Sequence, residues 1–236
     1  WLALPDERRP RLITLYFEDV DEATHDYGIS SPEMLEAVTL VDSLVGRLLD
    51  GIERLPIADD VYLVLVSDHG QSHFRSSEPV FVLDEFLDLT GIRTVDHGAF
   101  VALYFDEPNR DRALAICDII NQRWRHGQAV VPGEAPDSWR LWRDSPFADV
   151  LVVADPKSKV STSADRTFKV SSHGWSPDFR DMHGFFLAMG PRLPENRRIA
   201  RLTPESPSVC CMRVSSVRRE STTSWRSRKV DTNACM

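Results

Sequence analysis

Two short runs of consecutive apolar residues, Leu12 to Phe17 and Val61 to Val66, bracket one long amphipathic stripe. In that stripe Met34, Val38, Val41, Val45, Leu48, Ile52 and Leu55 recur every three or four positions. Each run has the length and character of a buried strand, and the stripe has the period of a helix with one face on a core. Polar residues from Glu18 to Glu22 follow the first run and predict a loop there. Ser30 and Glu33 stand at capping-box spacing, Pro32 suits a first helical turn where its missing N–H needs no partner, and Pro56 stops the helix after about Arg54. The connection is long enough for a parallel crossover. Phe100 to Phe105 (strand), Arg110 to Trp124 (helix), and Ala129 to Val131, Val150 to Ala154 and Phe185 to Met189 (strands) continue the alternation. The expected fold is α/β, a mostly parallel sheet flanked by helices.

Charge and cysteine usage narrow the function. Thirty-six acidic against 28 basic side chains give a net charge of −8, which argues against a nucleic-acid polymer as partner because its phosphates would be repelled. The longest apolar runs are strand-sized, far short of the roughly 20 residues that cross a bilayer, so no transmembrane segment is expected. Cys117 is the one cysteine before Cys210, Cys211 and Cys235, which excludes a disulfide-built or cysteine-zinc fold. Residues 132–147 and 157–169, rich in Pro, Ser, Asp and Trp, read as surface excursions, with Trp139 and Trp142 packing on the body. The main domain is expected over residues 1–203 and a disordered Ser/Arg-rich tail over 204–236, which lacks apolar periodicity. The chain opens Trp1-Leu2-Ala3-Leu4-Pro5 with neither an initiator Met nor a signal peptide, and the expectation is that a segment lies upstream.

Three places set histidine beside a turn near a strand: Asp21 with His25, Asp68-His69-Gly70, and Ser172-His173-Gly174. In open α/β sheets ligands bind beyond the carboxyl ends of the strands, and Asp21 and Asp68 each follow an apolar run within a few residues. Carboxylate and imidazole together suit Zn²⁺, with Mn²⁺ or Fe as competitors, and no thiolate stands near. Asp21 and His25 would share one face if their loop takes a helical turn. Gly70 would let the backbone turn tightly beneath Asp68 and His69. Asp96-His97-Gly98 precedes a strand instead of following one, so His97 reads as a loop residue at the wrong end. His73, His126 and His183 have no distinguishing carboxylate arrangement.

Leu15 to Gly28, Ser67-Asp68-His69-Gly70, and Ser172-His173-Gly174-Trp175 leading into Met182, Phe186 and Gly190-Pro191 resemble, in order and spacing from Arg11 to Leu193, the nucleotide pyrophosphatase/phosphodiesterase family of the alkaline phosphatase superfamily. The resemblance implies an alkaline-phosphatase-like sheet, incomplete on its N-terminal side, and zinc-dependent hydrolysis of phosphodiester or pyrophosphate bonds in nucleotide-type substrates. It implies two Zn²⁺ ions. Asp21, His25 and His173 match the ligands of one, a complete set; Asp68 and His69 match two ligands of the other, a partial set. The family's remaining ligand and its Thr or Ser nucleophile match positions upstream of Asp21, so this chain is expected to carry no nucleophile, to need the missing N-terminal half to complete the site, and to hydrolyse feebly by itself. Relatives are commonly exported, which implies a periplasmic or extracellular location. Two alternatives stand beside this one: a noncatalytic metal-binding or interaction module, and a phosphomonoesterase of the same superfamily.

Overall fold

Ser31 begins the long helix that the stripe predicts. Its hydroxyl accepts the Met34 N–H at 3.0 Å, Pro32 takes the first helical position, and the helix runs Pro32–Glu53. The cap lies one residue later than the capping-box spacing indicates, which moves Glu33 out of the position where it would reach back. A second helix precedes it: Asp19–Tyr27 (α1), with Pro32–Glu53 as α2. Asp19, Asp21 and Glu22 fill the first turn of α1 and His25 its last turn, the order that the helix dipole favours. Gly28, at φ +98°, ends it. The segment read as polar loop is therefore helical over most of its length.

These helices belong to a computed structural model that describes residues 1–141 and 147–193. Two units make up the chain, one of residues 1–58 and 66–185 and the other of residues 59–65 and 186–236. The expected tail, the cysteines after residue 209, and Trp142 and Arg143 lie outside the described residues.

In the larger unit the strands are Ser72–His73 (β2), Phe81–Val82 (β3), Ile92–Asp96 (β4), Phe100–Phe105 (β5), Gly127–Val130 (β6), Val150–Ala154 (β7), Val160–Ser161 (β8) and Ser171–Ser172 (β9). A strand Leu63–Val66 (β1) precedes them in sequence and Phe186–Met189 (β10) follows; these two form a separate two-stranded sheet. The principal sheet has the order β4-β5-β7-β6, and every neighbouring pair in it is antiparallel. This corrects the expectation of a mostly parallel sheet; β3 with β8 is parallel, and β2 with β9 antiparallel.

The reason lies in burial. Val101 and Leu103 of β5 join Val150 and Val152 of β7 on one face, packed with Ala113, Ile116, Cys117 and Ile120 of helix Arg110–Arg123 (α3). On the other face Ala102, Leu151 and Val153 form a second cluster with Phe100, Trp139 and Leu141. A strand covered on both faces reads as a continuous apolar run whichever way its neighbours point. Leu103 and Ile120, with no exposed surface, each contribute on the order of 2 kcal/mol of burial. Asn109 caps α3 by accepting the Arg112 N–H.

Leu12 to Phe17 forms no strand. Leu12 is 80% and Tyr16 73% exposed, and among the described residues no strand runs alongside to take up the backbone N–H and C=O groups. No residue of α2 is buried either; Val38 of its apolar stripe is exposed, as are Leu35 and Leu40 outside the stripe. No helix among the described residues is long and apolar enough to cross a membrane.

Cys117 gives this core a chemical test. Burial pushes its thiol up to about 12, with Asp118 and Glu134 adding to the effect, so almost no thiolate exists at pH 8. Alkylation of Cys117 by iodoacetamide at pH 8, followed by peptide mass spectrometry, is expected to run at least about tenfold slower in native protein than in urea. Equal rates would mean that α3 does not pack as described.

Candidate metal centre

Because Asp19–Tyr27 is helical, Asp21 and His25 stand one above the other on one face, with His25 Nε2 3.5 Å from Asp21 Oδ2. The helix is fastened to β9 at this face. Ser171 Oγ donates to the Thr24 carbonyl at 2.6 Å and the Val170 N–H to the His25 carbonyl at 3.0 Å. The His25 ring lies 2.8 Å from the Ser171 carbonyl through Nδ1. A carbonyl only accepts, so Nδ1 carries the proton and the Nε2 edge faces Asp21.

From β9 the chain passes directly to His173, whose Nε2 lies 3.9 Å from Asp21 Oδ1. One ligand atom from each of Asp21, His25 and His173 lies within 4.8 Å of the others. Ligands bound tetrahedrally at about 2.0–2.1 Å to one zinc are about 3.3 Å apart, so the three need only a small adjustment to share a cation. The donor chemistry also fits: one carboxylate and two imidazoles leave a fourth tetrahedral position open, the arrangement of catalytic zinc sites. Asp21 Oδ1 is buried without a hydrogen-bond donor among the described residues. A carboxylate oxygen withdrawn from water in this way is costly unless something positive reaches it. Burial, with His69, His97 and His25 nearby, pushes His173 down to about 3, so its ring is neutral and able to ligate at neutral pH.

Asp68 and His69 stand beside this group. The His69 ring stacks on that of His173 at 3.5 Å between centroids and 15° between planes. Its Nδ1 donates to the Gly70 carbonyl at 3.0 Å, and its Nε2 lies 3.6 Å from Asp68 Oδ1. The Asp68 side chain is 67% exposed. The five predicted residues are thus neighbours, drawn from α1, the Ser67–Gly70 turn and the residue after β9, with three of them in one compact donor set and two at its side.

Gly70 serves this turn for a reason other than a positive φ. A Cβ there would stand 2.0 Å from the Asp181 carbonyl oxygen and 2.9 Å from that of His183, while the Gly70 N–H donates to the Met182 carbonyl at 3.0 Å. Lack of space, not backbone freedom, excludes a side chain.

His97, expected as a loop residue at the wrong end of a strand, does lie in a loop, but that loop stands beside the donor set. It sits in the β4–β5 hairpin with its ring 4.7 Å from His173 and stacked on Phe100. The wrong-end argument holds for a parallel sheet; in an antiparallel hairpin the turn before β5 is also the turn after β4. The repeated Asp-His-Gly tripeptide was the available signal. His73, His126 and His183 are not in the donor set; His183 Nε2 bonds the Pro177 carbonyl and the His73 ring packs against Gly28. Trp139 packs on the sheet and donates Nε1–H to Ser176 Oγ, a structural part.

Residues 1–185 match the model of a family described as type I phosphodiesterase / nucleotide pyrophosphatase. Human ectonucleotide pyrophosphatase/phosphodiesterase family member 1 is 35% identical over 202 residues, 81% of this chain and 21% of that protein. The structure of human ectonucleotide pyrophosphatase/phosphodiesterase 5 superposes with a TM-score of 0.64 at 25% identity, covering 75% of this chain and 46% of that one. An inactive variant of the murine member 5, solved in complex with AMP, superposes with a TM-score of 0.62 at 26% identity, over 72% and 45%. The chain spans about a fifth to two fifths of the length of the curated relatives it matches.

Proposed function

This chain belongs to the type I phosphodiesterase / nucleotide pyrophosphatase family, and we propose that Asp21, His25 and His173 hold a divalent cation, Zn²⁺ by donor chemistry, for hydrolysis of phosphodiester or pyrophosphate bonds in nucleotide-type substrates by the full-length protein. The observation that carries the proposal is the compact donor set with its buried, unpartnered Asp21 Oδ1. AMP in a complex of the murine relative supports the substrate class.

Bound here, the cation supplies Lewis acidity and positive charge beside a phosphoryl group. The chain's own residues supply the rest. Asp21 compensates part of the cation's charge and touches both imidazoles. The Ser171 carbonyl holds His25 in the tautomer that offers Nε2, an orientation that metal sites require of the groups behind their ligands. His173 binds without first shedding a proton. Asp68 and His69 are proposed as a partial second set, its carboxylate open to solvent and its imidazole stacked on the first set. The main domain, on this proposal, extends over residues 1–203, and the protein acts in an extracytoplasmic location, since the matched relatives are named ectoenzymes.

Elemental analysis of the purified 236-residue chain, loaded with Zn²⁺ and freed of excess, tests the reading together with release of nitrophenol from a nitrophenyl nucleotide ester. Retained zinc is expected, with hydrolysis by this chain alone at most feeble and lost on adding a chelator. Protein that retains no zinc, or hydrolyses equally with chelator, would refute it.

A further inference from the structure

Two of the three imidazoles around His173 are anchored by carbonyls: His25 by that of Ser171 and His69 by that of Gly70. His173 itself has no ring hydrogen bond among the described residues. Its orientation rests on ring contacts with His69 at 3.5 Å, His97 at 4.7 Å and His25 at 5.2 Å.

The third neighbour, His97, sits on a turn whose backbone is fixed on both sides. Its N–H donates to the Phe100 carbonyl at 2.9 Å, closing the hairpin, and its ring lies almost parallel to Phe100, at 4.9 Å and 7°. Asp96, just before it, accepts from Gly98 N–H, Ser161 Oγ and Thr162 N–H and pairs with Arg166 at 2.6 Å. The turn cannot easily shift. His97 Nδ1 is buried without a partner and would stand 3.4 Å from a Cβ on Gly174, the residue after His173. An unpaired buried nitrogen costs about 1–3 kcal/mol, so the place of this ring is set by something other than its own hydrogen bonding. Gly174, at φ +91°, is what admits it: a Cβ there would also come within 2.9 Å of the Phe100 ring.

We propose that His97 is a positioning residue of the metal centre, its ring pressing on that of His173 so that Nε2 stays directed at Asp21. The proposal rests on the reading of Asp21, His25 and His173 as metal ligands. His97 is not one of the donor set, and its contact is with a ligand, not with the cation. A ring plane at this position is the requirement, and nitrogen chemistry is not.

The test compares His97→Ala, His97→Leu and His97→Phe in the full chain, with Asp21→Ala as reference. Zn²⁺ affinity is measured by competition with a chromogenic chelator, and the Co²⁺ form by its visible d–d bands. His97→Ala and His97→Leu should bind about tenfold more weakly, the effect typical of residues that orient metal ligands, with altered Co²⁺ bands. His97→Phe should stay within about threefold of the parent, with parental bands. The leucine variant keeps the apolar bulk and carries the test if the alanine variant does not fold. Parental affinity and bands in His97→Leu, or a tenfold loss in His97→Phe as well, would overturn the role. If Asp21→Ala retains the metal, the centre itself has been misassigned and the role of His97 falls with it.

Discussion

Changing Asp21 to Ala is expected to lower Zn²⁺ affinity by on the order of 1000-fold, and at the same time to leave the metal-free protein as stable as before or slightly more so. Asp21 is the single carboxylate of the compact donor set, and it lies 3.5 Å from one imidazole and 3.9 Å from the other. Without it two imidazole rings remain, their centroids 5.2 Å apart. Residues that merely orient ligands cost 10–100-fold when removed, so loss of the charged ligand should exceed that range. The stability half follows from the same geometry. Asp21 Oδ1 is buried with no donor, and removing an unsatisfied polar group relieves a desolvation penalty instead of breaking a bond. Chelator competition reads the first effect. Thermal unfolding with and without zinc reads the second, since zinc at a hundred times its Kd raises the stability of the parent by about 2.7 kcal/mol and should do nothing for the variant. Parental zinc binding, or a marked loss of metal-free stability, would each contradict the assignment.

Changing Gly70 to Ala is expected to destabilise the protein by about 3 kcal/mol, the upper part of the range for forcing an atom into an occupied place. The new Cβ meets the Asp181 carbonyl oxygen at 2.0 Å, and that atom is backbone, which cannot rotate aside. Relief requires the Ser67–Gly70 turn to move off residues 181–183, breaking the bond from Gly70 N–H to the Met182 carbonyl. His69 would move with it and leave the face of His173. For a chain of this size the melting temperature should fall by roughly 10 °C, with weaker zinc binding alongside. Gly46 in α2 is the matched control: no atom lies within 4 Å of its Cβ position, so Gly46→Ala should stabilise by up to about 1 kcal/mol. An unchanged melting temperature for Gly70→Ala would show that the turn is not packed as described.

The pieces that carry the proposed ligands stand out in the sequence because each is local. Asp21 and His25 need only a helical turn, and four residues of sequence fix that spacing. α3 and β7 fall within a residue of the helix expected over Arg110 to Trp124 and the strand expected over Val150 to Ala154, since each is a single continuous segment. Strand direction was not legible. Val150 to Ala154 is apolar throughout because α3 covers one face of its sheet and Trp139 and Leu141 cover the other, and burial carries no sign of which way a neighbour runs. The error spread to His97, which a parallel sheet would have kept away from the centre. Leu12 to Phe17 shows the converse: its residues suit a strand, but a strand is a property of two segments, and the second is not among the described residues.

Ser72 pairs with Ser172 and His73 with Ser171, and Gln71 Nε2 reaches Ser171 Oγ across one hundred residues of sequence. The chain between these two strands carries the four-stranded sheet and α3, and it is tied to the His173 side by more than this pair: His97 lies against His173, Trp139 donates to Ser176, and Trp175 and Met182 are buried in one core with Leu103 and Ile120. A change inside that core is therefore felt at both ends of the short strand pair and at His173 beside it.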